Sequence, residues 1–267
     1  MATFNSRRVG LRWTVGDVSQ AGFEVLQISI WSAWNLFGER AEYAVCVNTV
    51  TPKDAQSRTG EVPKQIRWID SSERVPGWLA SHLDRNMAEG VAWKFAPVRL
   101  FPERYEIALD NDVVLWRIPQ AVDWWIEGGS GCLLAEDVQC CLGQFADRCD
   151  CGPVNSGIRG VPPGFDLETR LCESLGDVVL QSELDEQGLQ AAALSRSKLF
   201  MVPTRDVTIC SPFPAHQHNL GECGVHFVGL NAKRSPWMLD GRGAHEVVRE
   251  SWERFRPAVM SAVMAGQ

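Results

Sequence analysis

Residues 106–116 read Glu106-Ile107-Ala108-Leu109-Asp110-Asn111-Asp112-Val113-Val114-Leu115-Trp116, an apolar strand interrupted by two carboxylates. Removing a carboxylate from water costs several kcal/mol unless a partner compensates, so two of them inside an apolar run require a reason. In an extended chain the side chains of Asp110 and Asp112 fall on one side, roughly 7 Å apart along the strand. Two such groups can converge on a hard cation, and oxygen ligation suits Mg²⁺ or Mn²⁺. Asp-Asn-Asp is also good turn chemistry. A strand that ends in a carboxylate turn at the C-terminal edge of a sheet is where open α/β folds place ligands.

Working outward, Val9–Val15 reads as a first strand ending at Gly16-Asp17. Phe23, Leu26, Ile30, Ala33, Trp34 and Phe37 then recur at helical spacing up to Gly38. Strands are predicted at Glu42–Asn48 and Gln65–Asp70, and a helix from Trp78 to Phe95, limited by Pro97. Beyond the carboxylates, Pro119 opens a short helix over Gln120–Ile126. Further strands are expected at Cys132–Asp137, Val154–Val161 and Gly224–Gly229. Helices are expected at Phe165–Leu175, Ser182–Ser195 and Glu246–Phe255, with Pro212 and Pro214 marking a loop. This alternation predicts an α/β domain on a mainly parallel sheet. With no repeat and no long linker, a single domain over 1–267 is expected.

The 267 residues, 45% hydrophobic and 22% charged, suit a soluble globular chain. A formal charge of −7 argues against nucleic acid as the main partner. No apolar run is long enough to span a bilayer and no signal-type core follows the N-terminus, so the expectation is a cytoplasmic protein without an integral membrane segment. Nine cysteines then read as reduced thiols. Cys132, Cys140, Cys141, Cys149 and Cys151 cluster without a Cys-x-x-Cys spacing, which favours packing over structural zinc. Most of the eleven tryptophans are assigned to the core.

Three other segments carry polar chemistry. Asn155-Ser156-Gly157 offers hydrogen bonds and close backbone approach. Asp185-Glu186-Gln187 opens a helix, where acids also interact with the macrodipole. His226 ends a short apolar strand and leads through Gly229 to Lys233, Arg234 and Pro236-Trp237; a histidine can complete the shell of Mn²⁺.

In this order and spacing, the four segments resemble the family-eight glycosyltransferases, the retaining group that includes glycogenin and bacterial galactosyltransferases. The family pattern is a strand ending in Asp-x-Asp, then Asn-(Ala/Ser)-Gly, an Asp-Gln segment and His-x-x-Gly-x-x-Lys-Pro-Trp, matched here over roughly residues 90–240. The match is not exact in spacing. One extra residue precedes Lys233, Arg234-Ser235 precedes Pro236-Trp237, and Glu186 separates Asp185 from Gln187.

The resemblance implies a GT-A fold, a Rossmann-like sheet with a nucleotide-binding half at about 1–118 and a sugar and acceptor half at about 119–267. It implies transfer of a sugar from a nucleotide-diphosphate donor, UDP-linked, to an acceptor it does not identify, with retention of configuration. Asp112 and His226 would hold Mn²⁺ or Mg²⁺, with Asp110 on the metal or the ribose. Lys233 would bind the diphosphate. Thr14 to Asp17 would border the nucleobase, and Lys94, Asn111, Asn155, Ser156, Gly157, Glu186 and Gly229 would complete the donor site. Asp185 or Gln187 would steady an oxocarbenium-like centre.

Three rival readings remain. A non-catalytic nucleotide-sugar-binding protein of the same fold would keep these residues without turnover. An Asp-x-Asp phosphatase would carry Thr or Gly-Thr after the motif, where Val113-Val114 stands. A sugar-nucleotide pyrophosphorylase would need a Gly-rich arginine loop after the first strand, and none is present.

Overall fold

The structure, a computed structural model, describes residues 8–84, 92–211, 219–233 and 238–265. The chain opens with β1 (Val9–Val15), α1 (Gln20–Phe37), β2 (Ala41–Val47), α2 (Pro52–Thr59), β3 (Arg67–Asp70) and the single turn α3 (Gly77–Ala80). β4 (Tyr105–Asp110), β5 (Val113–Leu115), α4 (Gln120–Ile126), β6 (Cys132–Glu136) and β7 (Val154–Val161) follow. Then come α5 (Leu167–Leu175), α6 (Glu183–Ser195), β8 (Leu199–Val202), β9 (Val207–Cys210) and β10 (Gly224–Phe227). A small ribbon, β11 (Met238–Leu239) with β12 (Arg242–Gly243), leads into α7 (Ala244–Ala265).

The central sheet has the order β3-β2-β1-β4-β7-β6-β8, and β7 alone runs antiparallel to its neighbours. From β1 the chain winds outward to β2 and β3 on one side, then returns to β4 on the other. The strand order therefore reverses between β1 and β4, and the crevice at their C-terminal ends is the natural ligand site of such a sheet. Strand alternation decides what lines each face. Val9, Leu11, Trp13 and Val15 of β1 join Tyr105, Ile107 and Leu109 of β4 in one core, packed under α1. The alternate residues, Arg12 and Glu106, meet on the opposite face as a buried ion pair at 3.4 Å. On that side α5 and α6 cover a second core containing Leu134, Val154, Leu171 and Leu189. Each fully buried large side chain contributes about 1.5–3 kcal/mol relative to exposure, so these two layers supply most of the driving force.

Several sequence expectations are corrected here. The stretch 106–116 is not one strand: β4 ends at Asp110, the chain bends, and β5 pairs antiparallel with β10 in a separate three-stranded sheet, β5-β10-β9. That sheet is buried between α1 and α7 through Val25, Val114, Val225, Phe227 and Trp252, which is why the run is apolar on both sides of the carboxylates. The helix expected over Trp78–Phe95 is α3 followed by a bridge at Leu83, and a 3₁₀ turn at Ala92–Phe95; residues 85–91 lie outside the described residues. α2, β8 and β9 have no counterpart among the expected elements. α7 continues past Phe255 and through Pro257, because Val259 and Val263 reach the third core. Pro212 and Pro214 lie outside the described residues.

Candidate active site

Thr14 and Asp110 are register partners at the C-terminal ends of β1 and β4, so the crevice begins between them. Asn111-Asp112 makes the bend that carries the chain from the large sheet to the small one. His226 on β10 stands opposite Val113, and Phe227 N donates to Asp112 O at 3.0 Å. This pairing brings the imidazole over the bend. His226 Nε2 lies 3.2 Å from Asp112 Oδ1 and 3.8 Å from Asp110 Oδ2. One ligand atom from each of the three residues falls within 4.8 Å of the others.

β7 delivers Asn155-Ser156-Gly157 to the same edge, because Ile158 pairs with Leu109 and the strand runs antiparallel. On its other side the register jumps from Leu134↔Arg159 to Ala135↔Asn155, leaving 156–158 without a β6 partner. A bulge of this kind re-aims side chains. Gly157 is required there by contact: a Cβ would meet His226 Cε1 at 2.3 Å. Asn155 is fixed by Asp137 at 3.1 Å and accepts from Gly157 N at 2.8 Å.

Lys94, on the 3₁₀ turn, bridges Asp110 Oδ2 at 2.9 Å and Glu186 Oε2 at 3.3 Å. Its carbonyl accepts from Arg12 at 2.5 Å and from Arg159 at 2.8 Å, so two buried guanidiniums hold the lysine in place. Burial would lower the Lys94 pKa, yet the Asp110 and Glu186 carboxylates raise it. Burial likewise works against the charged form of His226, and Asp112 and Asp110 outweigh it, raising its pKa. Asp110 is lowered: burial opposes its charge, but Lys94 and His226 prevail. Glu186 goes the other way, raised chiefly by burial. Arg159 is lowered to about 10 by burial and by the nearby Arg12 charge.

A divalent cation fits this donor set. Asp110 and Glu186 share one lysine, and the buried Asp112 Oδ1 faces the His226 imidazole, itself a metal-capable group, at 3.2 Å. Two carboxylates and an imidazole nitrogen are ligands of the kind Mn²⁺ accepts and Mg²⁺ tolerates.

The 185–187 stretch divides in a way the sequence does not indicate. The expected pair, Asp185 and Gln187, does not face the cluster with free groups. Asp185 accepts from Gln144 N, Gln144 Nε2 and Gln181 N, each at 2.8 Å, and so anchors the loops around α6. Gln187 ties Ser156 N to Cys141 O. Glu186 is the residue turned toward Lys94 and Asp110, with Oε1 buried and unpartnered. Ser182 caps the helix and sets this phase.

On the other flank, Lys233 forms an ion pair with Asp17, which also accepts from Arg58 at 2.6 Å. Gly229 adopts φ 93° on the loop between His226 and Lys233. Arg234 to Trp237 lie outside the described residues. Asn231 contacts this cluster, and Arg12 and Arg159 contact Lys94 beside it; none of the three was among the residues expected from the sequence. For the arginines the available signal was a charge at an inward position of an otherwise apolar strand. The nine cysteines are free thiols. Among the described residues the group of three or more metal-capable side chains is Asp110-Asp112-His226, so the thiols assemble no such set. Cys151 is lowered to about 7 by a hydrogen bond from Cys149.

No family model matches the chain, and no curated protein matches it in sequence. Solved structures do. The galactosyltransferase LgtC, crystallised with donor and acceptor sugar analogs, superposes with a TM-score of 0.60 at 13% identity, covering 94% of this chain and 95% of that one. An active-site mutant of LgtC gives 0.50 at 13% identity over 92% and 95%. The bifunctional glycosyltransferase WbbM in its apo form gives 0.53 at 12% identity, covering 99% of this chain and 53% of that one. The likeness shows the fold: a single mixed α/β domain of the GT-A glycosyltransferase type.

Proposed function

We propose that the chain is a metal-dependent glycosyltransferase that moves a sugar from a nucleotide-diphosphate donor, UDP-linked, to an acceptor. The observation that carries the reading is the convergence of Asp110, Asp112 and His226 onto one point, with the buried Asp112 Oδ1 facing His226 Nε2 at 3.2 Å. It lies at the switch point of a sheet whose fold is shared with glycosyltransferases. A bound Mn²⁺ or Mg²⁺ would neutralise the negative charge that develops on the departing nucleoside diphosphate.

The chain's own residues do the rest. Thr14 and Asp17 border the nucleobase and Asn111 lines the same wall. Lys233 exchanges Asp17 for the diphosphate, while Arg58 keeps Asp17 paired. Asn155, Ser156 and Gly157 present the bulged edge of β7 to the sugar. Glu186 takes the role beneath the anomeric centre, because its free oxygen is the carboxylate atom available there; Asp185 and Gln187 hold that helix end in place. Lys94 balances Glu186 and Asp110. Retention of configuration is consistent with a carboxylate on that face. The nucleotide half at 1–118 and the sugar half at 119–267 meet at the metal point, since His226 and Lys233 come from the second half.

The test is release of nucleoside diphosphate from UDP-, GDP- and ADP-sugars with and without Mn²⁺. Asp112→Ala is expected to abolish metal-dependent nucleotide binding and turnover together. Normal turnover by that variant would refute the assignment. Thermal stabilisation by nucleotide, with no metal-dependent release from any donor, would instead support a binding protein.

A further inference from the structure

Asn231 lies on the loop after β10 and is held at both ends. Its Nδ2 donates to Asp112 Oδ2 at 3.0 Å and to Asn111 Oδ1 at 2.9 Å. Asn111 Nδ2 returns a bond to Asn231 Oδ1 at 2.6 Å and donates to Gly22 O at 3.2 Å. The Asn231 carbonyl accepts from Ser19 N at 3.0 Å. Gly22 makes room for this amide, since a Cβ there would lie 2.7 Å from Asn231 Oδ1.

The consequence falls on Asp112. One carboxylate oxygen accepts from Asn231 Nδ2, and the other, Oδ1, faces the His226 imidazole, with Nε2 3.2 Å away. With Oδ2 already accepting from Asn231, Oδ1 is the oxygen turned toward the cluster, so this orientation favours one-oxygen over two-oxygen ligation of a cation. We propose that Asn231 is a positioning residue that holds Asp112 as a one-oxygen ligand and thereby selects Mn²⁺ and Mg²⁺ against Ca²⁺. The physical basis is coordination geometry. Mg²⁺ takes octahedral sites at about 2.0–2.1 Å, whereas Ca²⁺ takes 6–8 oxygens at about 2.3–2.6 Å and gains from two-oxygen carboxylates. His226 also disfavours Ca²⁺ as a nitrogen ligand, but it does so whatever the carboxylate geometry. Removing Asn231 while keeping His226 therefore separates the two contributions.

The inference rests on the metal-site reading of Asp110, Asp112 and His226, and the experiment distinguishes their failures. The full chain, stripped with chelator, is titrated with Mn²⁺ followed by the electron paramagnetic resonance of free Mn²⁺, and with Ca²⁺ by calorimetry. The wild-type protein is expected to bind Mn²⁺ at least about tenfold more tightly than Ca²⁺. Asn231→Ala is expected to lose about tenfold in Mn²⁺ affinity, the low end of the effect of removing an outer hydrogen-bond partner, while Ca²⁺ affinity holds or rises. The Mn²⁺/Ca²⁺ preference then shrinks by about tenfold or more. Asn231→Ser, too short to bridge Asn111 and Asp112, is expected to behave the same way and serves if the alanine variant does not fold. Equal loss of both affinities, or no change in either, would make Asn231 merely structural and overturn the inference. Equal wild-type affinity for the two ions would overturn it too. A wild-type protein that binds neither would overturn the metal site itself.

Discussion

Glu186 illustrates how a single buried carboxylate carries a pH-dependent stability cost. Burial raises its pKa in the folded protein, so the folded state holds its proton more tightly than the unfolded chain does. Below the ordinary carboxylate range both states are protonated and the residue is without cost. As pH rises through the interval up to the folded pKa, the unfolded state ionises first and stability falls; above it the penalty is constant. Glu186→Gln removes that slope. The metal-free variant is expected to unfold at a higher temperature than wild type at pH 8 and at the same temperature at pH 4, while losing turnover. Thermal unfolding at both pH values, beside a turnover assay, checks this. Equal melting temperatures at pH 8 would mean the carboxylate carries no burial penalty. Asp110, Asp112 and His226 were legible as chemistry in the sequence, because charge inside an apolar run is costly unless a ligand or a partner compensates it. That Glu186 and not Asp185 faces Lys94 was not, since neighbouring residues on a helix point about 100° apart and the Ser182 cap sets where the helix starts.

At the level of elements, the site is held by the start of α1. Ser19 caps that helix by accepting from Gly22 N at 3.0 Å, and its hydroxyl donates to Leu230 O at 2.7 Å. One side chain thus joins the first helix to the loop that carries Asn231 and Lys233. Ser19→Ala is expected to cost about 1 kcal/mol of stability, as cap removal does. It is also expected to weaken Mn²⁺ binding, through loosening of the 229–233 loop. Chemical denaturation and metal titration measure the two effects; unchanged metal affinity would confine Ser19 to helix capping. The predicted strands Val9–Val15 and Val154–Val161 coincide with β1 and β7 because alternating or continuous apolar runs bounded by turn residues leave little else. α2, β8 and β9 escape a sequence reading because they are short, at 8, 4 and 4 residues, and carry little periodicity of their own. The expected helix over 78–95 fails for the opposite reason: favourable composition persists there, but Leu83 pairs with Leu180 and breaks it.

Across the whole molecule, the Asp110–Asp112–His226 cluster ties together segments far apart in the chain, the carboxylates from one sheet's edge and the histidine from the other sheet. A ligand that binds only this assembled arrangement must stabilise the entire fold by mass action, by about 2.7 kcal/mol at a hundred times its dissociation constant. Mn²⁺ at that excess is expected to raise the melting temperature by about 5–10 °C for a domain of this size. Excess chelator should reverse the rise, and Asp112→Ala should lack it. A shift that survives in Asp112→Ala would place the stabilising ion elsewhere. Among the described residues no helix is long and apolar enough to cross a membrane.

From the sequence alone came the class of fold, the apolar run that carries Asp110 and Asp112, and the residue types gathered around it, because periodicity and misplaced charge are local properties. Tertiary structure alone decided that the carboxylate stretch divides between two sheets. It also decided that Gly157 makes room for His226, that Arg12 and Arg159 grip Lys94, and that Asn231 holds one oxygen of Asp112 while His226 faces the other. Each of these depends on which distant segments share an edge, and strand pairing across more than a hundred residues is fixed by the packing of both cores, not by any local pattern.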